Sequence, residues 1–117
     1  MKSISIISRR PPYGTVDASE AVRHALGGIT EDMAVRLILV DGGVAIAKKG
    51  QNTDATEYLN MESGIIDCID MGAEVYVDKM SMEEVRLEVK DLVEGIRISN
   101  SAEIAGIISN SDTTMIF

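Results

Sequence analysis

The chain reads as an α/β domain, a three-layer α/β/α sandwich built on a five-stranded, mainly parallel sheet. Three observations predict this. First, five short β-rich runs, at residues 3–8, 33–40, 73–77, 96–99 and 113–117, alternate with segments of helical spacing. Alternation of that kind implies crossover connections and parallel pairing. Second, the run Met33-Ala34-Val35-Arg36-Leu37-Ile38-Leu39-Val40 is nearly continuous in apolar residues, as in a strand covered on both faces. Third, hydrophobic residues make up 45% of the chain and aromatic ones 3%, so the core must be aliphatic.

Each element can be justified in order. The first strand runs into Arg9-Arg10-Pro11-Pro12-Tyr13-Gly14. Two prolines lack the N–H a ladder needs and bias their predecessors to extended form, so this segment is a loop. A helix is expected over 16–26, with Ala18, Ala21, Val22, Ala25 and Ile29 on one stripe. Gly27-Gly28 is expected to end it. After the second strand, Asp41-Gly42-Gly43 is a turn or helix start, 44–49 a short helix and 50–53 a loop. A longer helix is expected over 54–71, with Met61, Ile65, Cys68, Ile69 and Gly72 on one face. Beyond the third strand, Ser81-Met82-Glu83-Glu84 has capping-box spacing and opens a short helix. Residues 88–94 add a helical turn. Ser101 caps a last helix over 102–109, which turns Ile104, Ile107 and Ile108 inward.

A length of 117 residues suits a single domain over 1–117, with no linker or repeat. No run of about 18 apolar residues suggests a membrane span. The N-terminus reads as a strand, not a signal peptide. One cysteine leaves no internal disulfide, so the expected location is cytoplasmic. The net charge of −8 is uneven: residues 54–94 hold twelve acids and three bases, and the remainder holds seven acids and eight bases. An acidic half argues against direct nucleic-acid binding, which needs clustered Lys and Arg. It is either a solvated face or a docking surface for a basic partner.

Several chemistries fall away. One His and one Cys cannot build a closed zinc site, so no metal site is expected. Neither G-x-G-x-x-G nor a phosphate-loop motif is present, and no cofactor is expected. His24 reads as a surface or cap residue. Three candidates remain. Arg9, Arg10, Tyr13, Gly14 and Thr15 form a loop entering a helix N-terminus, which suits an anion or an interface. The plainer reading is a rigid connection. Asp41 and Asp78 end strands and could share the carboxyl rim of the sheet, where α/β chemistry sits. A magnesium-binding receiver would also need an acid cluster after the first strand, and Arg9-Arg10 stands there instead. Each acid is more simply a turn or cap residue. Cys68 lies on an apolar helix face, where a thiol is inert. It is a structural residue unless the helix exposes it for sulfur transfer.

The stretch R-R-P-P-Y-G-T followed by a helix, then Glu31-Asp32-Met33-Ala34-Val35 through Val40-Asp41-Gly42-Gly43-Val44, resembles the DsrE/DsrF-like sulfur-relay family. Gly72-Ala73-Glu74-Val75-Tyr76-Val77-Asp78 and the closing segment extend the resemblance over the whole chain, which looks closest to the DsrF/TusC branch. The resemblance implies a small α/β/α domain. Members of the DsrE/TusD type carry a persulfide-accepting cysteine just after the third strand. Here that place holds Asp78-Lys79-Met80-Ser81, so no catalytic residue carries over. The resemblance therefore implies a companion subunit that assembles with DsrE-like and DsrH-like paralogues, serving tRNA thiolation or sulfur oxidation. Its contacts are expected through apolar helix faces, with Met61, Met80 and Met82 as candidates. Two rivals are a sulfurtransferase using Cys68 in a self-associated form, and a small anion- or nucleotide-binding domain.

Overall fold

A computed structural model of the protein describes all 117 residues. Five strands, β1 (Ser3–Ser8), β2 (Ala34–Leu39), β3 (Glu74–Asp78), β4 (Arg97–Ser99) and β5 (Thr113–Ile116), form one sheet in the order β4-β3-β2-β1-β5. Every strand pair is parallel. The helices are α1 (Asp17–Thr30), α2 (Met61–Asp70), α3 (Lys79–Glu84) and α4 (Ser101–Ser109). Two 3-10 turns, at Asp41–Ala47 and Val89–Asp91, complete the chain.

The strand order fixes the layers. From β1 to β4 each crossover steps the same way, and right-handedness keeps α1, α2 and α3 on one face. The step from β4 to β5 reverses direction and sends α4 to the other. Strand alternation follows. Ile4, Ile6, Val35, Leu37, Leu39, Val75 and Val77 join a cluster of 21 buried residues with Ala18, Ala21, Ile65 and Cys68. Ile38 is also fully buried but points away from that cluster, as does Ile104 of α4.

Several expected boundaries shift, each for a physical reason. Helix α1 runs through Gly27 and Gly28 to Thr30. Gly28 serves close packing: a Cβ there would sit 2.8 Å from Val35 Cγ2. The helix expected over 54–71 begins only at Met61. Local side-chain bonds hold the preceding residues in turns, with Asp54 N donating to Asn52 Oδ1 (3.0 Å) and Tyr58 N to Thr56 Oγ1 (3.2 Å). Asn60 then caps α2 by accepting from Ser63 N at 3.1 Å. Ser81 and Ser101 are not the caps. Asp78 caps α3, and Asn100 caps α4 in a reciprocal box with Glu103. The helical turn expected over 88–94 shrinks to the 3-10 turn Val89–Asp91, because Leu92 pairs with Lys48 and Val93 N donates to Ala47 O at 2.8 Å.

Candidate functional site

The carboxyl ends of β1, β2 and β3 form the rim that carries Asp41, Asp78 and the loop after β1. Behind β1, the backbone closes tightly. Gly43 N donates to Arg9 O (3.1 Å) and Val40 O (2.9 Å), and a Cβ on Gly43 would fall 2.1 Å from Ser8 O. Pro11 packs on Gly42, where a Cβ would meet Pro11 Cδ at 3.0 Å. The Pro-Pro and Asp-Gly-Gly segments are thus two halves of one closure. Asp41 takes a left-handed φ of 51° to make it.

Asp41 and Asp78 do share a rim, and Ser81 joins them. Asp41 N donates to Ser81 Oγ at 2.9 Å. Ser81 Oγ and Ser81 N both donate to Asp78 Oδ2, at 2.5 and 3.1 Å. Asp78 therefore acts as a cap whose carboxylate is already engaged. No three His, Cys, Asp or Glu side chains come together anywhere in the chain in a group suited to a metal ion. Ser81, buried at the start of α3, links the two acids, a role the sequence pattern did not reveal. Its spacing of three from Asp78 was the available signal.

Just past Asp78, Lys79 and Met80 stand exposed, Met80 at 63%. They border a shallow hollow of about 210 Å³ with Glu83, Asn100 and Ser101. A side chain at this position is open to solvent at the start of a helix. Cys68 is placed in the opposite way. It has no exposed surface, and burial, then the Asp67 carboxylate, pushes its thiol up to about 11. Met61 and Met82 are likewise in the core, so of the three methionines expected at a contact face only Met80 is available.

The loop after β1 separates into two roles. Tyr13 turns inward: its hydroxyl donates to Gln51 Oε1 and accepts from Met61 N at 3.2 Å. Gln51 in turn bonds Ile46 O, Lys48 O, Glu62 Oε1 and Asn60 Nδ2, so all its polar atoms are engaged. Tyr13 thus ties the loop to the start of α2. Gly14 has a φ of 102° and no neighbour where a Cβ would sit, and Thr15 Oγ1 accepts from Asp17 N at 3.3 Å. Arg9 and Arg10 remain exposed. Arg10 faces Asp17 at 3.6 Å, and Asp17 and Glu20 both lie in the first turn of α1, where they oppose an incoming anion. His24 is half-buried, donates through Nδ1 to Glu20 O (2.7 Å) and packs on the Phe117 ring, centroids 5.1 Å apart.

The sequence pattern of the DsrE/DsrF-like family matches residues 2–117. The chain belongs to the DsrE/DsrF-like family. An uncharacterized protein of Methanopyrus kandleri is 30% identical over 97% of this chain and 93% of its own length. The intracellular sulfur oxidation protein DsrF of Allochromatium vinosum is 27% identical, covering 100% of this chain and 97% of its own. Among solved structures, the ychN protein from E. coli superposes with a TM-score of 0.92 at 21% identity, with full coverage of both chains. A protein of unknown function from Methanobacterium thermoautotrophicum gives 0.74 at 11%, also over both full chains. These superpositions establish the DsrE-like fold, and no helix of the chain is long and apolar enough to cross a membrane.

Proposed function

We propose that this chain is a non-catalytic subunit of a cytoplasmic sulfur-relay complex, assembled with DsrE-like and DsrH-like paralogues and serving tRNA thiolation or sulfur oxidation. One observation carries the reading: the exposed rim position after β3 offers Lys79 and Met80, while the chain's one thiol is sealed in the core. Sulfur transfer proceeds through an accessible thiolate. A thioether or an ammonium cannot carry a persulfide. The similarity to a sulfur oxidation protein DsrF adds support.

The rivals face physical obstacles. A sulfurtransferase using Cys68 needs α2 to lift from the sheet and expose Ile65 and Met61 with the thiol. An anion site at Arg9 and Arg10 must overcome Asp17 and Glu20. Native mass spectrometry of the chain alone and mixed with its DsrE-like and DsrH-like paralogues tests the proposal. A mixed assembly of defined stoichiometry is expected. A chain that stays apart from both paralogues refutes it.

A further inference from the structure

Away from the rim, α1, α2 and the segments leading into them enclose a trough lined by both apolar and polar side chains. One hollow of about 460 Å³ lies between the helices, lined by Val22, Leu26, Leu59, Met61, Gly64 and Asp67 among others. Gly64 lets the helices close together there: a Cβ on it would meet Val22 Cγ1 at 3.0 Å. A second hollow of about 330 Å³ continues past Val16, Glu57 and Tyr58, and the two share Ser19, Leu59 and Met61. Large apolar side chains stand in water along this path, Leu59 at 72%, Val16 at 69% and Tyr58 at 49% exposure. They are not loose. Tyr58 packs on the Tyr13 ring at 5.5 Å, and Tyr13 is pinned by Gln51 and Met61 N. An exposed apolar strip on a braced backbone is the surface expected of a binding face.

The charge around the trough is one-sided. Residues 54–70 contain five acids, Asp54, Glu57, Glu62, Asp67 and Asp70, and no base. Glu57 and Asp67 border the hollows and take part in none of the chain's ion pairs. Arg23 and Glu20 also line the hollow and pair with each other at 2.6 Å, so together they add no net charge to it. An apolar floor with unpaired acids at its edge fits an amphipathic segment whose polar flank is basic. We infer that the α1/α2 trough docks a basic amphipathic helix of a partner protein, with Leu59 as its central apolar contact and Glu57 and Asp67 as its charge contacts. Neither Cys68 nor the rim takes part, so the inference does not depend on where sulfur is carried.

The test uses a designed helix of about 18 residues, with leucine at i, i+3, i+4 and i+7 spacing and lysine elsewhere, and a second peptide with glutamate for lysine. Binding is followed by amide chemical shifts of the full chain. The expected result is perturbation centred on Val16, Leu26, Leu59, Gly64 and Asp67 by the lysine peptide and none by the glutamate peptide. Leu59→Asp should weaken binding by about tenfold or more, as should the double change Glu57→Lys with Asp67→Lys. Glu83→Lys with Glu84→Lys alters net charge equally on α3, away from the trough, and should change affinity by less than about twofold. Equal loss in both charge-reversed proteins, shifts spread over α3 and β4, or no binding overturns the inference. Concentration-dependent shifts of the trough residues without peptide also overturn it, by assigning the face to a second copy of the chain.

Discussion

Cys68 gives the sharpest test of the proposed non-catalytic role. Its thiol is pushed up to about 11 from an ordinary 9.0, first by burial and then by Asp67. The folded chain therefore holds this proton more tightly than the unfolded chain does. A raised acid contributes stability that is intact below about pH 9 and is lost as pH rises through the interval to about 11. The loss is roughly 1 kcal/mol at pH 10 and roughly 2–3 kcal/mol once pH exceeds both values. The perturbation is Cys68→Ala, which removes the titrating group. Urea unfolding of both proteins at about pH 7 and pH 10, under reducing conditions, measures the effect. Other alkaline titrations affect the two proteins alike, so the stability gap between them should narrow by roughly 1 kcal/mol at pH 10. Iodoacetamide supplies an independent reading. The shift alone leaves about a hundredfold less thiolate near pH 8, and enclosure slows reaction further. A gap that is constant with pH, together with native labelling as fast as in urea, would refute the burial argument and revive Cys68 as a sulfur carrier.

Other substitutions probe the closures around the rim. Gly43→Ala drives a Cβ into Ser8 O and strains the Gly43–Arg9 and Val40–Ser8 hydrogen bonds, at a cost of roughly 2–5 kcal/mol in urea unfolding. Gly27→Ala, in an open and exposed stretch of α1, should instead gain about 0.5–1 kcal/mol; equal effects at the two glycines would discredit the packing account. Tyr13→Phe removes two hydrogen bonds from the Gln51 network and should cost about 1–3 kcal/mol, with faster amide exchange at Met61. Asp78→Ala loses the cap of α3 at a cost of about 0.5–2 kcal/mol, whereas Asp78→Asn, which still accepts from Ser81 N, should lose less than about 0.5 kcal/mol. A larger loss for Asn than for Ala would show that Asp78 does more than cap.

The sheet was legible because its signals are local. Apolar runs such as Val35 to Val40 mark strands, and their alternation with helices dictates parallel order. Ends were less legible, because several side chains can satisfy the same helix terminus. Ser81 and Ser101 have capping chemistry, yet Asp78 and Asn100, placed just earlier at the strand ends, take the role. Gly27-Gly28 has the composition of a helix stop, but the close approach of Val35 gives Gly28 a packing reason to stay helical. The start of α2 was misplaced for the opposite reason: Asn52, Thr56 and Asn60 compete for backbone N–H groups over 54–60. At the rim, the pairing of Asp41 with Asp78 followed from strand ends, while the Ser81 hydroxyl between them needed tertiary geometry. Met61 and Met82 showed the limit of residue type alone, since burial depends on which way each short helix faces.

The central claim is that sulfur does not travel on this chain. Its most direct test is to mix this chain with DsrE-like and DsrH-like paralogues, load the mixture from a persulfide donor, and weigh each chain intact. The expected result is a mass increase of one sulfur on the DsrE-like chain and none on this chain, with Cys68 unmodified. A persulfide on Cys68 at comparable occupancy would contradict it.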